Sequence, residues 1–188
     1  MIQSKWNMEG LMDYTSAVVI IAPHRVQAFA VPLMHQYCFE SMMRVPAHIT
    51  VLFPFVPLDD LDAACWKLRD ICADVPPFDL TLDGYGHFPT VTYLKPADPE
   101  PIKAIFRRIH AAFPDYPPYR GAFGGDDITP HMTVGEFKSE AERVKVVFPP
   151  YVPLTFEVRR LHLIIGVERE PIPWVTHDVI PLGKGAKS

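Results

Sequence analysis

Proline sets the terms on which this chain can fold. Of its 188 residues, 21 are proline, about twice the ordinary 5% share. Each lacks an amide donor and holds φ near −65°, so it interrupts helix interiors and central strands. The chain must therefore be assembled from many short elements rather than long helices. At this length roughly 70% of the unfolded surface can be buried, and a core needs no covalent staple. Hydrophobic residues at 48% and charged residues at 21% match a globular protein and exclude a disordered one.

Between the proline stops, strand-like and helical patterns alternate. Ser16–Ala22 (SAVVIIA) reads as a buried strand. Val26–Glu40 is helical but carries Pro32, which predicts a kink or a break. Ala47–Phe53 (AHITVLF) is a strand, and Asp59–Val75 a helix with Leu61, Ala64, Leu68, Ile71 and Val75 on one stripe. Pro76-Pro77 stops it. Phe78–Tyr85 and Val91–Lys95 read as a hairpin, Glu100–Phe113 as a helix, and Asp115–Pro130 as a loop. Strand His131–Phe137 follows, then a short charged helix at Ser139–Val147 and strands over Leu154–Val167 and Trp174–Ile180. The order βαβαββ then αβαββ predicts an α+β fold with largely antiparallel sheets flanked by helices. The two halves share one grammar and no composition break separates them, so residues 1–188 read as a single domain with two similar lobes.

Net charge is −4, with 18 basic against 22 acidic residues. No global basic footprint exists for duplex DNA, so a phosphate-bearing ligand must be held by a local site. Cys38, Cys65 and Cys72 are odd in number and lack metal spacing. Cys65 and Cys72, seven apart on a helix, read as small core hydrophobes. The first 14 residues lack the charged and apolar regions of a secretory signal, and Ala17–Ala22 is too short to span a bilayer. A cytoplasmic monomer without a membrane partner is the expectation.

The chemistry is concentrated in a repeated motif. His48-Ile49-Thr50-Val51 and His131-Met132-Thr133-Val134 lie 83 residues apart, at matching places in the two halves. Chance supplies fewer than one H-x-T in a chain with 8 histidines. Side chains alternate along a strand, so each motif offers an imidazole and a hydroxyl on one face, backed by apolar residues on the other. Two imidazoles with ordinary pKa near 6.5 can act as one base and one acid near neutral pH. Threonine hydroxyls can donate to the non-bridging oxygens of a phosphate. That set suits phosphodiester cleavage and needs neither metal nor cofactor.

The paired strands resemble the 2H phosphoesterase superfamily, which includes 2′-5′ RNA ligase-like proteins and 2′,3′-cyclic phosphodiesterases. The context agrees: AHITVLFPF, GYGHF before VTYL, TPHMTVGEF, and a closing Trp174 strand ending in Pro181-Leu182-Gly183. The resemblance covers about Ser16 to Gly183. It implies a bilobal fold with pseudo-twofold related sheets and both motifs facing a central cleft. By this resemblance His48 and His131 are the catalytic pair, His48 as proton donor and His131 as acceptor, and Thr50 and Thr133 bind phosphate. The implied ligand is a nucleotide or RNA terminus bearing a 2′,3′-cyclic phosphate or a 2′-5′ linkage. A non-catalytic nucleotide- or RNA-binding module on the same scaffold, and a small-molecule cyclic phosphodiesterase, are the competing readings. Complete motifs in both halves argue against a dead site. Ligase activity, though in the family's name, is indicated by nothing in the sequence.

Around the motifs, Phe88, Tyr119, Arg120 and Arg44 are candidate substrate contacts, with a packed aromatic or a solvated arginine as the plain alternative for each. His87 stands beside Phe88. His162 and Arg160, two residues apart, could share a face toward the cleft. Asp126-Asp127 lacks metal-ligand spacing to His131 and reads as a turn or cap. His24, His35, His110 and His177 have no partner in sequence and read as structural or surface residues.

Overall fold

The computed structural model describes residues 14–122, 128–168 and 170–183. Along them run β1 (Tyr14–Ile21), α1 (His24–Tyr37), α2 (Phe39–Arg44), β2 (His48–Leu52), α3 (Leu61–Ala73), β3 (Phe78–Phe88), β4 (Val91–Pro96) and α4 (Glu100–Ala112). The second half adds β5 (Met132–Glu136), α5 (Glu140–Arg143), β6 (Leu154–Val158), β7 (Arg160–Val167) and β8 (Val175–Pro181). The strands form two antiparallel four-stranded sheets, ordered β2-β1-β7-β8 and β5-β4-β3-β6. In each sheet a motif-bearing strand lies at the edge, beside the strand that pairs with it.

The helices tie the halves together. α1, which leads into β2, packs on β5; α4, which precedes β5, packs on β2. Each motif strand is thus covered by the helix belonging to the other motif, and β2 and β5 also contact one another. One hydrophobic core spans both sheets, with Ile49, Val51, Met132 and Val134 fully buried against Val26, Ala30, Ile105 and Ile109. The α+β, largely antiparallel architecture expected from the element order is the one observed.

Three local expectations need correction. The break in the first helical segment falls at Cys38, not at Pro32, which sits inside α1. Burial of Val26, Ala30, Leu33 and Met34 along one face holds the helix through the proline, and Cys38 ends it with extended φ of −152°. Leu154–Val167 is not one strand. It is divided at Arg159: β6 pairs with β3 in the second sheet, whereas β7 pairs with β1 and β8 in the first. The buried positions change phase there, from Phe156 and Val158 to Leu161 and Leu163. The charged helix near Ser139 shrinks to the single turn of α5, capped by the Ser139 hydroxyl accepting from Glu142 N–H at 3.2 Å. Among the described residues no helix is long and apolar enough to cross a membrane.

Candidate active site

The two motifs fold in the same way down to their irregularities. β1 pairs Val19 with Thr50 and Val18 with Leu52, leaving Val51 unmatched. β4 pairs Tyr93 with Thr133 and Thr92 with Gly135, leaving Val134 unmatched. The fourth residue of each motif is therefore the extra residue of a bulge, a device that re-aims side chains and recurs beside active sites. It turns two successive residues of each strand inward and leaves the preceding His and Thr on the open face.

Each imidazole is anchored alike. His48 Nδ1 lies 2.8 Å from the Pro46 carbonyl, and His131 Nδ1 lies 2.7 Å from the Thr129 carbonyl. A carbonyl only accepts, so Nδ1 carries the hydrogen and Nε2 is left to accept or donate a proton. The rings emerge into one cleft of about 290 Å³, lined by His48, Thr50, His131 and Thr133 together with Tyr119 and Arg44. Burial lowers the pKa of both histidines below the ordinary imidazole value, partly opposed by the two carbonyl hydrogen bonds. Charge on His131 lowers His48 further. The pair is thus close enough that one proton on it opposes a second.

The rest of the cleft divides into an apolar wall and a polar rim. Ala17, Val19, Phe53, Ile164 and Trp174 form the wall, and Ser41, Glu136 and Glu168 stand on the rim beside Arg44. Arg44 is held from three sides: Nη1 donates to the Glu168 carbonyl at 2.8 Å, Nη2 donates to Ser41 Oγ at 3.1 Å, and its own carbonyl accepts from Trp174 N–H at 2.8 Å. Ser41 Oγ donates in turn to Glu136 Oε2 at 2.8 Å. Tyr119 enters on a strained backbone, with φ of 50°, followed by Arg120 at 56°. Non-glycine residues rarely adopt such values, and surrounding contacts must hold them. Here Tyr119 N–H donates to the Phe53 carbonyl at 2.6 Å, and its phenol is hydrogen-bonded to the Thr50 side chain. Burial raises the phenol's pKa, with the Thr50 contact opposing.

Two anticipated contacts stand back from the cleft wall. Arg120 pairs with Glu168 at 2.9 Å. Phe88 packs edge-on against the His131 ring at 5.1 Å, and Tyr93 flanks the same ring at 5.2 Å. Each meets the cleft-lining residues through one neighbour, Arg120 through Glu168 and Phe88 through His131. Tyr93 in turn lies over Gly86, where an added Cβ would fall 2.4 Å from its ring; Trp174 covers Gly166 in the same manner, at 2.3 Å. His87 Nδ1 meets the buried Thr92 hydroxyl at 3.1 Å, and His110 stacks on Phe106. His177 lies 3.8 Å from Asp62. The three cysteines are buried, and burial pushes the Cys38 thiol to about 12. Asp126 and Asp127 lie outside the described residues. Among the described residues no three His, Cys, Asp or Glu side chains are grouped to hold a metal ion.

Sequence reasoning missed Ser41, Glu136, Glu168 and the wall residue Ile164. Glu136 alone carried a signal, as the last residue of the second motif strand.

The family model of the 2′-5′ RNA ligase superfamily matches residues 20–170. Among solved structures, E. coli LigT complexed with 3′-AMP superposes with a TM-score of 0.68 at 18% identity, over 89% of this chain and 97% of that one. A structure described as a phosphoesterase gives 0.69 at 17% identity, over 91% and 99%. The Thermus thermophilus protein TT0787 gives 0.64 at 18%, over 92% and 100%. At such identities the likeness speaks for the fold. No curated protein sequence matches the chain.

Proposed function

The chain belongs to the 2′-5′ RNA ligase superfamily, and from that premise we propose that it is a metal-independent phosphodiesterase acting on a 2′,3′-cyclic phosphate or a 2′-5′ linkage of an RNA end or nucleotide. One observation carries the reading. Two imidazoles, each with Nδ1 tied to a carbonyl two residues earlier, line a single cleft with two threonine hydroxyls. The crystallised LigT complexes, with 3′-AMP, ATP, NADP+ and phosphate, support a nucleotide as the ligand.

In the reaction, His131 Nε2 takes a proton from water as its oxygen bonds to phosphorus. The bond from phosphorus to the leaving ribose oxygen breaks, and protonated His48 Nε2 supplies the proton that oxygen needs. Thr50 and Thr133 donate to the non-bridging oxygens, where charge builds. Charge repulsion between the rings favours a pair holding one proton, as this division of labour requires. The pair's apparent pKa values then belong to both residues together. A panel of cyclic and linear phosphodiesters, incubated with enzyme and EDTA and followed by ³¹P NMR, tests the reading. Cyclic phosphate or 2′-5′ substrate is expected to be consumed with EDTA present. Its survival, or its consumption only after metal is restored, would overturn the proposal.

A further inference from the structure

The open face of the first sheet continues beyond the cleft. Val19 is paired on one side with Thr50 and on the other with His162. Partners across an antiparallel sheet project from the same face. Ala17 and Ile164 are partners in the same sheet and line the cleft beside Val19, which fixes the face that His162 shares. Arg160, two residues earlier on β7, shares it too. Two strand spacings separate His162 from Thr50, about 10 Å at roughly 4.8 Å per spacing.

Both side chains are equipped for an anion. Arg160 is exposed, and whereas Arg159 is tied to Glu157 at 2.6 Å, no carboxylate among the described residues pairs with Arg160. His162 is half-buried, and its Nδ1 is sealed from water without a partner. A sealed lone pair is tolerated better than a sealed N–H, so the neutral ring keeps its hydrogen on Nε2. That atom is then a donor. Burial and the neighbouring guanidinium hold the ring below the ordinary imidazole pKa, so it donates as a neutral group while Arg160 supplies the charge.

We propose that Arg160 and His162 form a second phosphate subsite on the cleft face of β7, holding the phosphate next to the one being cleaved. The proposal rests on the phosphodiesterase reading of the first site and narrows its substrates to those with two phosphates, an oligonucleotide end above all. The second phosphate can be an internal link of a chain or the 5′-phosphate of a mononucleotide.

The test uses the whole protein, wild type and Arg160→Gln, titrated at several salt concentrations. Three probes are compared: a nucleoside 3′-phosphate, a nucleoside 3′,5′-bisphosphate and a dinucleotide bearing a 3′-phosphate. Wild type is expected to bind the dinucleotide about tenfold more tightly than the monophosphate, the gain of one charge-assisted contact. Arg160→Gln should abolish that ratio and flatten the salt dependence for the dinucleotide by about 0.7 in log–log slope. An equal gain for the bisphosphate would support a subsite satisfied by a terminal phosphate; a gain for the dinucleotide alone would support one that reads a chain. Equal binding of all three probes by wild type, or an unchanged ratio and slope in Arg160→Gln, would overturn the proposal. Failure of the first-site reading looks different, because a cyclic phosphate then survives incubation with wild type and EDTA whatever the ratio between the probes, and both proposals fall.

Discussion

Gly86→Ala probes the support of His131 from a distance. The residue's φ lies outside the left-handed region, so the backbone accepts alanine and the whole effect comes from collision. The new Cβ would lie 2.4 Å from Tyr93 Cε2 and 2.5 Å from Cζ, where ordinary contacts begin at 3.4 Å. The Tyr93 ring must therefore move by about 1 Å. It cannot swing away freely, because Phe88 packs on it in a tilted arrangement at 4.6 Å and His131 packs at 5.2 Å. Overpacking of this kind costs about 1–3 kcal/mol. For a chain of this size, about 2 kcal/mol lowers Tm by roughly 4–8 °C. A catalytic ring displaced by about 1 Å can lose up to about 10²-fold in rate. Thermal melts and kcat/KM on a 2′,3′-cyclic nucleotide should therefore fall together. Adding Tyr93→Leu to Gly86→Ala removes the collision, so Tm should recover while kcat/KM stays low, the ring beside His131 being gone. A Gly86→Ala protein that melts early yet turns over at the wild-type rate would show that the Tyr93 ring does not hold His131 in place.

The hydroxyls and the titrations give further expectations. Thr50→Val and Thr133→Val keep shape and remove a donor, so each should fold normally and weaken phosphate binding by about 1.5–3 kcal/mol; calorimetric titration with phosphate checks it, and unchanged affinity in both would place the hydroxyls outside the site. Tyr119→Phe removes the partner of the Thr50 hydroxyl and should cost phosphate affinity about 0.5–1.5 kcal/mol; the loss should vanish when Thr50 is already valine, whereas additive losses would show that the phenol acts independently. Stability should depend on pH through the buried histidines. Burial holds His48, His131, His87 and His162 below the ordinary 6.5 when folded, so below that value the unfolded chain binds more protons. The stabilisation is complete above about pH 6.5 and is lost as pH falls through the folded values. Replacing His48 and His131 by Gln should flatten the acid side of a Tm–pH curve, and an unaltered slope would contradict the assignment.

Much of this site was legible because strand alternation is a strong constraint. His48 with Thr50, and His131 with Thr133, had to share faces once AHITVLF and HMTVGEF were strands. Proline density and the β-branched runs marked most element boundaries within a few residues. The bulges at Val51 and Val134 were not legible, since an unmatched residue is defined by its partner strand rather than by its own sequence. Pro32 misled because tertiary burial of α1 outweighed a local penalty. The division at Arg159 did leave a trace, the change of phase between Val158 and Leu161, hidden by reading Leu154–Val167 as one apolar run. Tyr119 reached the site through two left-handed residues that no propensity favours. Glu168 entered it through the fold of β7, far from either motif.

The proposed function has two coupled imidazoles perform the acid and base steps. It is tested most directly by the pH dependence of kcat/KM on a 2′,3′-cyclic nucleotide, with EDTA present, for wild type, His48→Ala and His131→Ala. Wild type should give a bell with its maximum on the acid side of pH 6.5, because burial lowers both rings. Each variant should lose at least about 10²-fold: His48→Ala together with the alkaline limb, His131→Ala together with the acid limb. A wild-type profile with its maximum well above neutrality, or both limbs surviving in either variant, would contradict it.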